Sequence, residues 1–195
     1  QKALTIARRQ PEYPYFQGFP PPASYQPTRT YHPGVTQFGP QRRAEVLKEV
    51  FAQAAAQDTR VAGAFSLFEG EIAIVNTNGL SAYQPLSGAE VSLVFMSDQG
   101  MSRVEAFARD PGQIDFQGLT ARGLARCALD RDQVELPPGE YTVILEPPCV
   151  AEVLGWLSFI AFGSEAFLTG SSFLAGALGE RSMGENITIY DSAWE

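Results

Sequence analysis

Few residues of this chain could bind a metal ion or form a catalytic nucleophile and base. The sequence holds one histidine, His32, and two cysteines, Cys127 and Cys149. A catalytic zinc ion generally takes three protein ligands of the histidine, cysteine or carboxylate type and keeps a fourth position for water. His32 lies between Tyr31 and Pro33, with no cysteine near it in the sequence. We therefore do not expect His32 to bind a metal, and we expect both cysteines to be buried thiols on separate helices in a reducing compartment.

Serine chemistry and phosphate binding are not favoured either. A serine relay needs a histidine as its base, and none lies close to the three serines near Glu165, which are Ser164, Ser171 and Ser172. The glycine-rich segment 170–184 lacks the spacing of a phosphate-binding loop. We expect its glycines to shape a loop that leads a peptide or a partner strand past a helix.

The segment from Cys149 to Ser192 nevertheless resembles an active-site region. The similarity lies in the run Ser-Phe-Leu-Ala-Gly-Ala-Leu-Gly-Glu-Arg at 172–181, in the apparent strand Asn-Ile-Thr-Ile-Tyr-Asp at 186–191, and in the helical run before them. These residues resemble the TldD/PmbA family, once called modulators of DNA gyrase and now regarded as zinc-dependent peptidases with inactive homologues. The resemblance also implies a longer full chain, so we expect this sequence to be a fragment.

The metal motif of the active members is not matched. In the TldD branch the helical run carries His-Glu-x-x-x-His, in which the histidines bind zinc and the glutamate polarises the attacking water. The corresponding positions here are Ala151, Glu152 and Trp156. Because neither a methyl group nor an indole can donate a lone pair to zinc, the resemblance implies the PmbA (TldE-like) branch, with no zinc bound by this fragment. Glu152 is then a vestigial general base or a first-turn carboxylate favoured by the helix dipole.

The spacing of the motif also predicts local structure. Residues five apart on a regular helix lie about 140° apart around its axis, so a histidine pair there needs a local distortion, for which Gly155 is a plausible place. Without the metal, we expect the Trp156 indole to pack into the would-be metal cavity.

Three functions are consistent with these residues. The resemblance implies a noncatalytic subunit that binds peptides or unfolded proteins as a homodimer or as a heterodimer with a TldD-like homologue. The alternatives are an active zinc metallopeptidase with ligands outside this fragment, and an unrelated α+β protein-binding module. Peptide binding by strand addition to an exposed sheet edge is a further hypothesis.

Composition restricts the partners. The formal net charge of −8 disfavours nonspecific nucleic-acid binding, which depends on lysine and arginine neutralising phosphates. The longest apolar run, residues 153–163, is too short to cross a bilayer. We expect a cytoplasmic protein without nucleic-acid or membrane partners.

Three segments are predicted. Residues 1–40 form an extended connector rich in proline and aromatic residues, with eight prolines between Pro11 and Pro40. We expect its seven aromatic side chains to pin it to the domain surface; the alternative is a polyproline ligand centred on residues 20–24. Residues 41–146 form an α+β domain, and residues 147–195 begin a second, peptidase-like domain.

The α+β domain is predicted as a mostly antiparallel sheet with helices packed on one face. Helical spacing places Val46, Leu47, Val50, Phe51 and Ala54 inward on a helix over 43–56, and Leu119, Leu124, Ala125 and Ala128 inward on a helix over 119–129. Alternating patterns and turn residues predict strands at 61–69, 71–77, 80–84, 90–97, 103–109 and 141–145. We expect turns at Glu69-Gly70, Asn78-Gly79 and 98–100, the second of type I′.

Overall fold

The computed structural model describes residues 1–26, 28–130 and 133–192. Pro27 of the connector, residues 131–132, and residues 193–195 at the end of the predicted second domain lie outside the described residues. The chain forms two compact units, which are Pro21–Tyr141 (the sheet unit) and Gln1–Pro20 with Thr142–Glu195 (the α5 unit). Its helices are α1 (Lys2–Ala7), α2 (Gly34–Gln37), α3 (Pro40–Ala55), α4 (Phe116–Leu129), α5 (Pro147–Leu157) and α6 (Ser164–Leu168). Its strands are β1 (Arg60–Val75), β2 (Ser81–Met96) and β3 (Met101–Ala108).

The sheet unit confirms the α+β prediction. Its strands form an antiparallel sheet in the order β1-β2-β3. One face, here called the inner face, carries the core side chains Phe65, Ala89, Val91, Leu93, Phe95 and Val104. Helices α3 and α4 cover this face with Val50, Ala54, Leu119, Leu124 and Cys127. The opposite, outer face has no helix among the described residues.

The hairpin β1–β2 is longer and simpler than predicted. We expected a turn at Glu69-Gly70 and separate strands on either side of it, which is wrong. β1 and β2 pair without interruption from Arg60↔Met96 to Val75↔Ser81. The chain reverses at Asn76, whose Oδ1 accepts the amides of Asn78 and Leu80, and Gly79 adopts a φ of +90°. The predicted turn at Asn78-Gly79 is therefore present, but the prediction of type I′ is wrong, because that type needs a positive φ at both residues and only Gly79 of the two has one. The strands predicted at 80–84 and 90–97 are one strand.

Pro85 shows why β2 tolerates a proline in its middle. β3 pairs only with residues 89–96 of β2. Near Pro85, that edge of β2 therefore faces no strand to which a backbone N–H could have donated. A proline is accepted at such an edge because the missing N–H would point away from the paired strand. The local pattern around Pro85 suggested a break that the long pairing with β1 overrides.

The connector binds to this unpaired part of β2 through hydrogen bonds. The Ser87 amide donates to the Thr30 carbonyl (2.9 Å), the Thr30 hydroxyl donates to the Pro85 carbonyl (2.7 Å), and the His32 amide donates to the Ser87 hydroxyl (2.8 Å). Residues 28–32, here called the strap, thus close the β2 edge where β3 ends. Aromatic pinning was expected and is wrong for six of the seven aromatics, since all except Phe38 are exposed; Phe38 packs against Phe65.

Helix packing corrects the predicted core. On α3, Val50 and Ala54 are buried, whereas Phe51 is 48% exposed. On α4, Ala125 and Ala128 are exposed, and Thr120, Gly123 and Cys127 are buried instead. The stripe shifts because Gly123 lets the helix approach the Phe95 ring, with which a Cβ at position 123 would overlap.

One tyrosine on the hairpin has an altered acidity. The Tyr83 hydroxyl donates a hydrogen bond to Glu71 across the hairpin, and this bond raises the pKa of Tyr83, with smaller contributions from desolvation and from the Glu71 charge. The stability that this bond contributes is present while Tyr83 is neutral and is lost as the pH rises through the raised pKa.

We expect a difference titration at tyrosinate absorbance, intact protein minus Tyr83→Phe, to show a midpoint above the ordinary tyrosine value. Glu71→Gln should move that midpoint down toward the ordinary value. An unchanged midpoint in Glu71→Gln would contradict the assignment to Glu71.

Candidate functional site on helix α5

Helix α5 holds the three positions that match the metal motif. The helix begins with Pro147 and Pro148, whose missing amides cost nothing at a helix start. Glu146 is its N-cap residue, so Glu152 is the sixth residue of the helix and lies in its second turn. The prediction of Glu152 as a first-turn carboxylate is therefore wrong, because the helix begins earlier than the motif.

The backbone around the motif is regular. Ala151, Glu152 and Trp156 all lie within the α-helical Pro147–Leu157, without the local distortion that a metal-binding histidine pair at these positions would need. A π-helical turn, Ser158–Phe162, follows directly. A Cβ at Gly155 would meet no atom within 4 Å, so no close approach requires a glycine at that position.

The side chains of the motif positions are exposed. Trp156 is 62% exposed, and its ring contacts Phe159 edge-on with centroids 6.5 Å apart. Ala151 and Glu152 are also exposed. The expected packing of the indole into a cavity is therefore wrong for the described residues.

A cavity of about 1110 Å³ lies beside α5, within the α5 unit. Leu154, Ser158 and Phe162 form its helical wall, and Gly163, Leu174 and segments 179–185 and 187–191 form the rest. Glu152 and Trp156 are each two residues from Leu154 and so lie about 160° around the helix from it. Ala151 is three residues away and lies only about 60° from that wall. The helix therefore places Ala151 on the cavity side and leaves Glu152 and Trp156 on the other side.

The segments predicted as strands near this site are not strands. Neither 141–145 nor 186–191 forms a ladder with any described strand, and Ile144, Ile187 and Tyr190 are exposed. Both have the alternation of a strand, but a strand exists only with a partner, and the described residues supply none.

The glycine-rich loop is confirmed as a loop. Gly170, Gly176 and Gly179 adopt positive φ values, which glycine does without strain. Ser172 is buried, and its hydroxyl accepts the Leu174 amide (3.0 Å). The sequence did not reveal this turn-stabilising role, although serine commonly bonds to the backbone two residues on.

Comparison with known families decides the assignment. Residues 34–133 match the central domain of the PmbA/TldA metallopeptidases, and residues 138–195 match their C-terminal domain. The chain belongs to this family. None of the curated proteins compared with the chain matches it significantly.

Two solved structures share the fold of this PmbA/TldA family member. One is a Thermotoga maritima protein described as a candidate modulator of a DNA gyrase, with a TM-score of 0.77 and 18% identity over 92% of this chain and 42% of that chain. The other is TldE from Thermococcus kodakarensis, with a TM-score of 0.65 and 18% identity over 90% of this chain and 41% of that chain. The chain thus spans less than half the length of either.

Potential metal ligands of this family member are scattered. The described residues contain no group of three or more histidine, cysteine, aspartate or glutamate side chains placed to hold a metal ion. His32 lies in the sheet unit, where its Nδ1 accepts the Gly34 amide (3.1 Å) and lies 3.7 Å from Asp110 Oδ1. Both cysteines are free; Cys127 is buried as expected, whereas Cys149 is exposed, contrary to expectation.

The helices of the chain differ in length and polarity from membrane spans. Within the ranges that the structure describes, none of them combines the length and the apolar character needed to cross a bilayer.

Proposed function

We propose that this protein is a noncatalytic, TldE/PmbA-like subunit of a TldD-type metallopeptidase complex that acts on peptides or unfolded proteins in the cytoplasm. The observation that carries the proposal is the chemistry of α5. At the two positions where the resemblance places zinc-binding histidines, the helix presents the methyl group of Ala151 and the indole of Trp156. Neither group binds zinc.

The exposed surface of α5 supports association with a partner. An apolar strip follows the helix and its π-helical continuation, with exposures from 40% to 82% at Val150, Val153, Trp156, Phe159 and Ile160. Contiguous exposed apolar surface of this kind marks binding sites more often than free surface. A TldD-like homologue, or a second copy of the chain, is the partner that we propose for this strip.

Metal content and activity test the noncatalytic role. We expect the purified protein to hold far less than one zinc per chain by plasma mass spectrometry, and to leave an unfolded casein substrate intact. Glu152→Gln, the matched control, should change neither result. About one tightly bound zinc together with cleavage that Glu152→Gln abolishes would establish the active-peptidase alternative instead.

Association is tested separately. The protein should co-purify with a homologue that carries His-Glu-x-x-x-His, and Trp156→Ala should weaken that complex about tenfold or more, as loss of a central aromatic anchor does. Phe107→Ala, which removes a 61% exposed ring from the sheet unit, serves as control and should leave the affinity unchanged. A complex that tolerates Trp156→Ala would exclude this strip as the interface.

A further inference from the structure

The outer edge of β1 carries backbone N–H and C=O groups that no described residue pairs with. The Asn76 amide donates to the Leu80 carbonyl, and residues that bond to a given neighbour alternate along an antiparallel strand. The even-numbered residues of β1 therefore bond to β2, and the odd-numbered ones point their N–H and C=O groups away from it. Ser87 of β2 confirms the alternation, because its amide points away from β1 and donates to Thr30.

No described residue pairs with these groups. Apart from the ladder with β2, none of the recorded backbone or side-chain hydrogen bonds among the described residues involves the main chain of Arg60–Val75. With 16 residues, the open edge extends about 50 Å. Natural sheets usually block such an edge with lysine, proline, a bulge or inward-pointing charges. β1 contains neither lysine nor proline, and its register with β2 is continuous. The charges on its inner-face positions are Glu69 and Glu71, so a strand that pairs here has to neutralise them.

The charges along the edge select a partner. Glu69 and Glu71 are the acidic residues of β1, both are exposed, and both belong to the odd-numbered set. An added antiparallel strand would place one residue directly opposite each of them, with side chains on the same face. Positive side chains at those two positions would form cross-strand charge pairs.

The residue between the two positive ones would be apolar. It would lie opposite Gly70 on the outer face, where a Cβ at position 70 would have only the Leu86 side chain within 4 Å, at 3.7 Å. Phe68 and Ile72 flank this gap with exposures of 42% and 50%. A side chain such as valine would fill the gap and cover both.

We propose that the open edge of β1 binds an extended polypeptide by antiparallel strand addition, and that it selects a basic, apolar, basic alternation opposite Glu69, Gly70 and Glu71. The inference rests on the proposed function for the kind of ligand, which is a peptide or an unfolded protein. The site itself lies on the sheet unit and needs neither zinc nor a partner subunit. Failure of one proposal therefore leaves the other standing.

The test uses the intact protein and a short fluorescein-labelled peptide with two lysines separated by one valine. We expect fluorescence anisotropy to show binding, and Glu69→Gln/Glu71→Gln to weaken it about tenfold. Glu135→Gln/Glu140→Gln removes the same charge from exposed residues outside the sheet, and it should leave the affinity unchanged.

Two N-methylated peptides separate strand addition from simple charge attraction without altering the protein. The lysines opposite Glu69 and Glu71 direct their amides at β1, so methylating those two nitrogens should abolish binding. Methylating the valine nitrogen, which faces solvent, should preserve it. Equal affinity of the two methylated peptides, no binding of the unmodified peptide, or a protein dimer that occupies the β1 edge in sedimentation experiments would each overturn the proposal.

Discussion

Replacing Phe95 by alanine should lower the free energy of unfolding of the sheet unit by about 3–5 kcal/mol, the range for deleting a fully buried phenylalanine. Phe95 is 0% exposed, lies near the end of β2, the middle strand of the sheet, and contacts α4 at Gly123. The loss combines the transfer of the ring out of the core with the cavity that it leaves between sheet and helix. Urea unfolding followed by far-ultraviolet circular dichroism measures it. Tryptophan fluorescence would not suit, because Trp156 and Trp194 both lie outside residues 21–141.

Phe107→Ala is the matched control for Phe95. Its ring is 61% exposed on the outer face and stacks on Phe68 with centroids 6.3 Å apart. Loss of one exposed aromatic contact costs about 1 kcal/mol. Equal destabilisation by the two substitutions would mean that the helices do not cover the face that carries Phe95.

Gly63→Ala should destabilise the sheet unit by about 2–3 kcal/mol. Gly63 has a φ of +156°, and a Cβ there would overlap the Ser92 carbonyl oxygen and lie 3.0 Å from Leu93 Cα. These are backbone atoms of the neighbouring strand, so the clash can be relieved only by separating β1 from β2. Hydrogen exchange of the β1 and β2 amides should accelerate around this pair first.

Gly70→Ala tests whether the glycine effect is specific to position 63. Gly70 lies in the same strand, but a Cβ there meets only the flexible Leu86 side chain at an ordinary 3.7 Å. We expect a change within about 0.5 kcal/mol, and alanine could even stabilise the strand by restricting the unfolded chain. A large loss at position 70 would contradict the continuous pairing of β1 with β2.

The elements that could be predicted from the sequence are those determined by residues close to one another in the chain. The turn after Asn76 is encoded by a side chain that bonds to its own backbone and by a glycine with positive φ, and both are visible in the sequence. Helices α3 and α4 follow from apolar spacing. By contrast, Gly70 looked like a turn residue because its long-range partner Leu86 cannot be identified from the residues around it.

Features that depend on distant contacts were not predicted. Trp156 was expected to pack into the would-be metal cavity. The indole is instead 62% exposed, and the ring recorded against it among the described residues is Phe159, from the same helical segment. Segments 141–145 and 186–191 have the alternation of strands, but the part of the chain that the structure describes offers them no strand to pair with. The correspondence of Ala151, Glu152 and Trp156 with the metal motif comes from the family resemblance, whereas the position of these residues relative to the cavity required the structure of α5.

The strap gives the hairpin two chemically different edges. One edge of β2 is covered by the strap, which lies more than fifty positions earlier in the sequence. The strap forms hydrogen bonds with Ser87 and Pro85 but is not part of the hairpin. Such a segment can detach while the sheet persists, since local opening costs less than global unfolding. The Ser87 amide, which donates to the Thr30 carbonyl, therefore acts as a built-in reporter. Its exchange rate measures detachment of the strap, and the exchange rates of the neighbouring β2 amides that bond to β1 measure the survival of the hairpin.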